Sequence, residues 1–463
     1  MEILILVVFV LGYTAIALEH PIRIDKAASA LLTGTICWAI FVLGADQVPE
    51  HLVNNGELAK FSSDYLGEPG LLQSMFFEHR LLHHLEEISS ILFFLLGAMT
   101  IVELVDAHEG FAVITDRIKT TNKVKLMWII GILTFFFSAA LDNLTTSIVM
   151  ISLLRKLIDD KETRWLFAGL VVIAANAGGA WSPIGDVTTT MLWIGGQLST
   201  GVIISHLIIP SIVCLVVPLV VLSFTQKGSI KRPMRKEGPE HYLNPTTPFE
   251  RNLIFLLGVG GLLFVPVFKT VTHLPPFMGM MLSLGVLWVA TEILHRNKNH
   301  EAKSQLSVIY VLQKIDTASV LFFMGILLAV AALAEVGHLI VMADFLREKL
   351  ANVFLIDVTI GLLSAVVDNV PLVAASMGMY EVVPTTAELT HWTEQFTRDG
   401  NFWLFLAYCA GTGGSVLIIG SAAGVAVMGL EKIDFIWYIK KISLLALVGY
   451  LAGAGTYYLM FAL

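Results

Sequence analysis

Long apolar runs recur along this whole sequence, and they decide what the chain can fold into. Runs long enough to cross a hydrocarbon core of roughly 30 Å cover residues 3–18, 89–105, 203–224, 253–268, 278–293, 318–333 and 442–463. Only 14% of the 463 residues are charged, against roughly 25% in a soluble globular protein. Lipid is therefore the expected solvent. Because a chain in lipid must satisfy its own backbone polar groups, we predict an all-α polytopic membrane protein.

Charged residues between the runs predict the orientation of the chain. Lys and Arg cluster within residues 20–26, 117–125, 155–164, 227–251, 295–314 and 432–441, and acidic stretches lie within residues 46–87 and 381–399. Cytoplasmic loops of membrane proteins are enriched in Lys and Arg. This distribution predicts that both termini lie outside.

Two apolar stretches do not fit as simple spans. Residues 127–154 are flanked by basic loops on both sides, and residues 354–379 have both ends on the predicted outer side. Each stretch is too long for one span and too short for two, and each contains one Asp-Asn pair, Asp142-Asn143 or Asp368-Asn369. We predict two re-entrant hairpins that turn at these pairs. Non-helical backbone at that depth is tolerated only where protein or a water-filled cavity covers it.

The two halves of the sequence contain corresponding motifs, and the two halves are predicted to lie in the membrane in opposite orientations. Asp142 and Asp368 lie 226 positions apart, and Gly185 and Gly420 lie 235 positions apart. Glycines and polar residues also interrupt the apolar stretches at about 165–196 and 402–430. Such features indicate an inverted-topology repeat with broken helices at the binding site. We predict a first repeat over residues 1–225 and a second over 226–463, which begins with a basic linker. Together they give about ten transmembrane spans, two hairpins and two interrupted helices.

Three carboxylates are predicted at or near the middle of the membrane, namely Asp142, Asp186 and Asp368. A lone carboxylate there costs several kcal/mol, so it must be protonated, paired or bound to a cation. Hard oxygen ligands for Na⁺ or Li⁺ could come from neighbouring polar side chains, with candidates Asn143, Thr145, Asn176, Ser182, Ser364, Asn369 and Ser421. An alternative is that each Asp-Asn pair, and Asp186 as well, only caps the helix that follows it.

Three segments carry a resemblance to a known family. The segments FFSAALDNLTTSIVM, LSAVVDNVPLVAASM and NAGGAWSPIGDVTTTMLW resemble the NhaD-type Na⁺/H⁺ antiporters of the ion transporter superfamily. The resemblance implies exchange of Na⁺ or Li⁺ for H⁺ across a bacterial inner membrane, in the service of pH homeostasis and salt tolerance. It makes Asp142, Thr145, Asp186, Asp368 and Asn369 the core of the site. Ser138 and Ser364, four residues before each hairpin Asp, also match. One departure is that Ser421 stands where the first half has Asp186.

Other classes of function are less well supported by the sequence. Protease and lipase motifs are missing, and the three cysteines share no metal-ligand spacing, so we expect no enzymatic activity and no cofactor. The expected partners are Na⁺ or Li⁺, protons and the lipid bilayer, with no nucleic acid. A homodimer remains open. The alternative transport function is that of an organic-acid or oxyanion permease of the same superfamily.

Overall fold

In the computed structural model, the chain folds almost entirely into helices. The structure describes residues 1–463 apart from 45–47, 50–51, 54–56, 65–71, 116, 234–245, 297, 385, 387–388 and 463. Within that part, eight helices are long and apolar enough to cross a membrane. The predicted all-α polytopic fold is therefore confirmed. Arg235 and Lys236 of the predicted basic linker lie outside the described residues.

Eight helices make up most of the described first half. They are α1 (Glu2–Ala17), α2 (Lys26–Gly44), α3 (Leu72–Ala107), α4 (Lys123–Leu141), α5 (Asn143–Leu157), α6 (Lys161–Ala180), α7 (Val187–Ile194) and α8 (Thr200–Thr225). The break between α4 and α5 falls at Asp142, where the hairpin turn is predicted. The break between α6 and α7 covers residues 181–186, inside the predicted interrupted helix.

The second half repeats this order of helices. They are α9 (Pro248–Thr272), α10 (Pro276–Leu294), α11 (Thr317–Glu335), α12 (Val353–Leu363), α13 (Asn369–Met379), α14 (Asn401–Gly413), α15 (Ala422–Glu431) and α16 (Phe435–Phe461, π-helical over Ile439–Ser443). Shorter helices in the described part are Glu19–Ile22, Glu57–Asp64, Ala112–Thr115, His300–Leu306, Val308–Leu312, His338–Leu350 and His391–Glu394. The second hairpin breaks over residues 364–368, and the second interrupted helix over residues 414–421.

The chain forms two compact units. The first comprises Met1–Phe93, Asp316–Ile356 and Val370–Val382, and the second comprises Phe94–Ile315, Asp357–Asn369 and Val383–Leu463. Each predicted half of the sequence contributes residues to both units. Two repeats whose helices interleave do not each have to form a compact unit. The division of the sequence at residues 225 and 226 stays a prediction.

The first unit is held together by close helix packing and a buried ionic cluster. A Cβ added to Gly34 on α2 would lie 2.5 Å from the carbonyl oxygen of Gly325 on α11, so the two backbones touch. At the end of α11, the buried Glu335 carboxylate accepts from Arg80 Nη2 at 2.6 Å and lies 2.7 Å from His84 Nε2. A buried charge needs such partners, because removing it from water costs several kcal/mol.

The second unit packs its hairpins against its interrupted helices without intervening side chains. A Cβ at Gly178 on α6 would collide with the carbonyl oxygen of Phe135 on α4. At the equivalent places in the second half, a Cβ at Gly413 on α14 would collide with the carbonyl oxygen of Gly361 on α12. Glycine is required at both positions because only it permits this approach of backbones. Equivalent residues of the two halves thus make equivalent contacts.

The C-terminal end of α15 is tied to the first half of the chain by a buried carboxylate. Glu431 accepts from Arg155 Nε of α5 and from Arg164 Nε of α6, each at 2.7 Å. Arg155 also donates to the carbonyl oxygen of Leu430. A carboxylate shared between two guanidinium groups holds three helices of this unit together.

Candidate functional site

Asp186 lies at the centre of a buried polar network in the second unit. It is the last residue of the break between α6 and α7, and its side chain is 2% exposed. Its Oδ1 caps α7 by accepting from Thr188 N at 2.9 Å and from Thr188 Oγ1 at 2.8 Å. Its Oδ2 accepts from Asn143 Nδ2 at 2.7 Å, and Asn369 Nδ2 lies 3.5 Å from Oδ1. One carboxylate therefore meets an amide from the tip of each hairpin.

Asn176 of α6 extends the network to the second interrupted helix. Its Oδ1 accepts from Asn143 Nδ2 at 3.1 Å. Its Nδ2 donates to Ser415 Oγ and Ser421 Oγ, each at 2.9 Å. Asn176 and both serines are buried. Because buried polar groups must be paired, this amide fixes the broken segments of the two halves relative to each other.

Asp142 forms the whole break between α4 and α5, in a conformation that L-amino acids rarely adopt. Its backbone has φ 82° and ψ 161°, a region populated almost only by glycine and costing on the order of 1–3 kcal/mol. Its Oδ1 accepts from Thr145 N at 2.7 Å and its Oδ2 from Thr145 Oγ1 at 2.9 Å. The carboxylate thus caps α5, as the alternative interpretation of the Asp-Asn pair predicts, and the side chain remains half-buried.

The charges around Asp186 are of its own sign. Asp142 and Asp368 both repel the Asp186 carboxylate electrostatically, and Asp368 is half-buried at the tip of the second hairpin. In a low-dielectric interior such repulsion makes an additional negative charge costly. A cation or a proton at this centre would relieve the repulsion, and an anion would increase it.

Three of the predicted serines instead hold the backbone together. Ser138 Oγ donates to Ala175 O at 2.5 Å, and Ser364 Oγ donates to Ala410 O at 2.9 Å. These are equivalent contacts of a hairpin with the interrupted helix of its own half. Ser182 Oγ donates to Ala139 O at 2.6 Å. Each hydroxyl keeps acceptor capacity on its oxygen beside this contact.

The structure brings together part of the predicted site and adds two residues to it. Asn143, Asn176, Asp186, Asn369 and Ser421 share one hydrogen-bonded network. The sequence did not point to Ser415, although it lies in the glycine-rich interruption of α14 and α15. Thr188 is the other addition, and the signal for it was its position two residues after a capping Asp. The binding of an ion by any of these residues stays a prediction.

Two further hydroxyls near the network have no hydrogen-bond partner in the described part of the chain. Thr146 Oγ1, in the first turn of α5, and Thr189 Oγ1, in the first turn of α7, are both fully buried. Buried polar atoms are normally paired. These two hydroxyls are therefore available as neutral ligands beside the helix starts at Asp142 and Asp186.

Comparison with known proteins places the chain in a class of membrane transporters. The family model described as "Citrate transporter" matches residues 6–395. Among curated relatives, Sodium/proton antiporter 1 of Arabidopsis thaliana is 45% identical, with coverage of 98% of this chain and 72% of the relative. Sodium/proton antiporter 2 of the same plant is 42% identical, with 97% of each chain covered. Na(+)/H(+) antiporter NhaD of Vibrio cholerae is 29% identical over 96% of this chain and 89% of its own.

The chain therefore belongs to this transporter family, in its NhaD-type antiporter branch. The resemblance that the three sequence segments carry is confirmed by relatives that match over nearly the whole chain.

Proposed function

We propose that this chain is a secondary transporter that exchanges Na⁺ or Li⁺ for H⁺, with Asp186 as the central carboxylate. The observation that supports it best is the position of Asp186, which is buried and in contact with an amide from each hairpin tip. Relatives bearing the names of sodium/proton antiporters support the same activity. Asp142 and Asp368 flank this centre and raise its affinity for any positive charge.

The chemistry of exchange follows from competition for one carboxylate. A buried carboxylate is costly when it is ionised and alone, so it takes up either a proton or a metal cation. In the proposal, Asp186 binds the cation on one side of the membrane, releases it on the other, and returns with a proton. Binding of one ion excludes the other, and this exclusion couples the two fluxes.

The amide side chains allow the same site to serve both states. Asn143 and Asn369 direct Nδ2 towards Asp186 in this structure. An amide carries donors on nitrogen and an acceptor on oxygen, so rotation of its side chain exchanges one for the other. With a cation beside Asp186, each Oδ1 becomes a ligand of the kind that hard cations prefer. Ser421 and the unpaired hydroxyls of Thr146 and Thr189 can supply further neutral oxygens.

An organic-acid permease is the competing proposal, because the matching family model carries the description of a citrate transporter. A carboxylate cargo at this centre would meet Asp186 together with Asp142 and Asp368, all of its own sign. Anion sites in proteins are instead built from Arg, Lys and backbone N–H groups. The charge of the site therefore favours a cation as the transported ion.

The test is ion-driven proton movement in everted membrane vesicles that contain the chain. A respiration-generated pH gradient, reported by an acridine-type dye, should collapse on addition of Na⁺ or Li⁺. The Asp186→Asn variant should respond no more than vesicles without the protein. Its matched control is Asp160→Asn, since Asp160 also caps a helix, by accepting from Thr163 N at 2.8 Å, but is exposed.

The outcomes separate the two proposals. Loss of the response in Asp186→Asn with retention in Asp160→Asn supports cation exchange at this centre. A response to citrate but not to Na⁺ or Li⁺ would support the permease, and normal exchange by Asp186→Asn would refute the assigned site. The proposal also includes a bacterial inner membrane with both termini outside, which reporter fusions at each terminus test.

A further inference from the structure

A second buried carboxylate, Asp357, lies in the same unit away from the Asp186 network. It belongs to α12, four residues after the helix begins at Val353, which is a rise of roughly 6 Å. Its side chain is 0% exposed. Neither of its carboxylate oxygens has a hydrogen-bond partner within the described part of the chain. Complete burial without any partner is rare for a carboxyl group.

The groups that interact with Asp357 in the described part of the chain carry no positive charge. The titratable side chains that interact with it electrostatically are Cys409 of α14 and Tyr450 and Tyr457 of α16. Thiols and phenols are neutral near pH 7. Tyr450 Oη donates to Val358 O at 3.1 Å, and Tyr457 Oη donates to Asn401 Oδ1 at 3.0 Å. Both phenols are therefore committed to other acceptors.

Such surroundings determine the form in which Asp357 exists here. An ionised carboxylate without hydrogen bonds or a counter-charge is far more costly to bury than a neutral acid. Asp357 consequently holds a proton in this conformation. Because its oxygens are sealed from water, it can release that proton only after a movement that exposes it.

Packing does not explain why an acid occupies this position. The equivalent position in the first half, 226 residues earlier, is Gly131, and a Cβ there would lie 3.2 Å from Leu219 Cδ1. The fold thus accepts a residue without any side chain at the matching place. A structural carboxyl group would also be hydrogen-bonded, because each unpaired buried polar group costs about 1–3 kcal/mol. What Asp357 adds over a neutral side chain is the capacity to bind and release a proton.

We propose that Asp357 is a second proton-binding site of the antiporter, which carries one proton per transport cycle on the step in which Asp186 returns without the cation, in addition to the proton at Asp186. The proton binds to a carboxylate oxygen on one side of the membrane and leaves from it on the other, so no bond other than O–H is made or broken. This inference rests on the proposed function. It predicts that the number of protons exchanged per cation falls by one when Asp357 cannot ionise.

The experiment measures that number thermodynamically in proteoliposomes, with the membrane potential clamped at zero by K⁺ and valinomycin. A pH gradient of about one unit is imposed, and the sodium gradient at which net Na⁺ flux reverses is determined. One pH unit is worth about 1.4 kcal/mol, the equivalent of tenfold in concentration. Loss of one proton per cycle therefore reduces the sodium gradient at reversal by about tenfold in Asp357→Asn.

Two control variants and one control flux distinguish a role in proton binding from a structural role. Asp357→Glu retains an ionisable group and should reverse at the wild-type sodium gradient, as should the exposed control Asp160→Asn. Exchange of radioactive Na⁺ for Na⁺ moves no net proton, so Asp357→Asn should retain it and thereby show that the variant is folded. An unchanged reversal gradient in Asp357→Asn would overturn the inference. Loss of Na⁺/Na⁺ exchange would also overturn it, because the role would then be structural.

Failure of the inference is distinguishable from failure of the proposed function. If the wild-type protein shows no coupling of Na⁺ and H⁺ fluxes, the proposed function is wrong. If the wild type couples them and Asp357→Asn reverses at the same gradient, only the role of Asp357 is wrong.

Discussion

Replacement of Asp142 by glycine should make the protein more resistant to heat and at the same time inactive. The backbone of Asp142 lies at φ 82° and ψ 161°, and glycine there relieves strain of about 2 kcal/mol. Loss of the Asp142 cap on α5 reduces this stabilisation by only about 0.3 kcal/mol, because glycine is itself an adequate N-cap. The greater conformational freedom that glycine gives the unfolded chain further reduces it by about 0.7 kcal/mol, the usual cost of such a change. The balance is a stabilisation of about 1 kcal/mol, a factor of about five in the folded-to-unfolded ratio.

The matched control is Asp160→Gly, which removes an N-cap of the same kind without relieving strain. Asp160 has φ −67°, an ordinary conformation, so the two offsets apply and the strain does not. The control should lose about 1 kcal/mol. Where the whole change appears in the unfolding rate, Asp142→Gly unfolds about fivefold more slowly than wild type and Asp160→Gly about fivefold faster.

The chain carries its own reporters for this measurement. Cys37, Cys214 and Cys409 are free and buried, so a thiol-reactive fluorophore labels the detergent-solubilised protein only as it unfolds. Unfolding of a membrane protein is often irreversible, and the half-life at a fixed temperature is then the appropriate quantity. The same preparations are assayed for Na⁺-driven proton movement. A half-life of Asp142→Gly equal to or shorter than that of Asp160→Gly would refute the strain argument, and normal exchange by Asp142→Gly would refute the role of the carboxylate.

Two further predictions concern packing and pH. Gly178→Ala should shorten the half-life of the folded protein and abolish exchange, because its Cβ collides with the carbonyl oxygen of Phe135. Gly201→Ala is the control: the added Cβ meets open space, so the variant should be neutral or stabilised by up to about 1 kcal/mol. Equal half-lives and activities of the two variants would contradict the close packing. In the second unit, His295 Nε2 lies 2.8 Å from His108 Nε2, and burial lowers the pKa of both histidines, that of His295 from 6.5 to about 4. The unfolded chain therefore binds more protons, so the stabilisation is fully present above pH 6.5 and is lost as the pH falls towards 4. Unfolding should be faster at pH 5 than at pH 7, and the difference between the two rates should be smaller in His295→Gln. An undiminished difference in that variant would refute the assignment of the pH dependence to His295.

The positions of the helix breaks could be predicted from the sequence because lipid permits so few alternatives. A polar pair such as Asp142-Asn143 in an apolar run has to be a turn in a protected site, and the structure breaks the helices there. The roles within the site could not be ranked in the same way. By pattern, Asp142 and Asp368 look equivalent and central. The network instead converges on Asp186, because at each tip it is the Asn side chain that reaches the centre.

Contacts that depend on side-chain direction were beyond the sequence. Ser138 and Ser364 match the family pattern, but their hydroxyls point at backbone carbonyls of the interrupted helices. In the sequence, Thr188 is one of three consecutive threonines with no feature that distinguishes it. In the structure, the start of the helix places it beside Asp186. Asp357 is a single acidic residue in an apolar run without a motif, so only its complete burial without a partner distinguishes it.

The helix starts at the site have a consequence for its total charge. Helices α5, α7, α13 and α15 begin at or directly after Asp142, Asp186, Asp368 and Ser421, respectively. The N-terminal end of a helix carries the equivalent of about +0.5 charge through its macrodipole. Four such ends offset roughly two of the three carboxylate charges and leave the ionised centre with a charge on the order of −1. One proton or one alkali cation neutralises that charge, whereas a divalent cation would leave an excess of about +1, so this balance by itself favours singly charged ions.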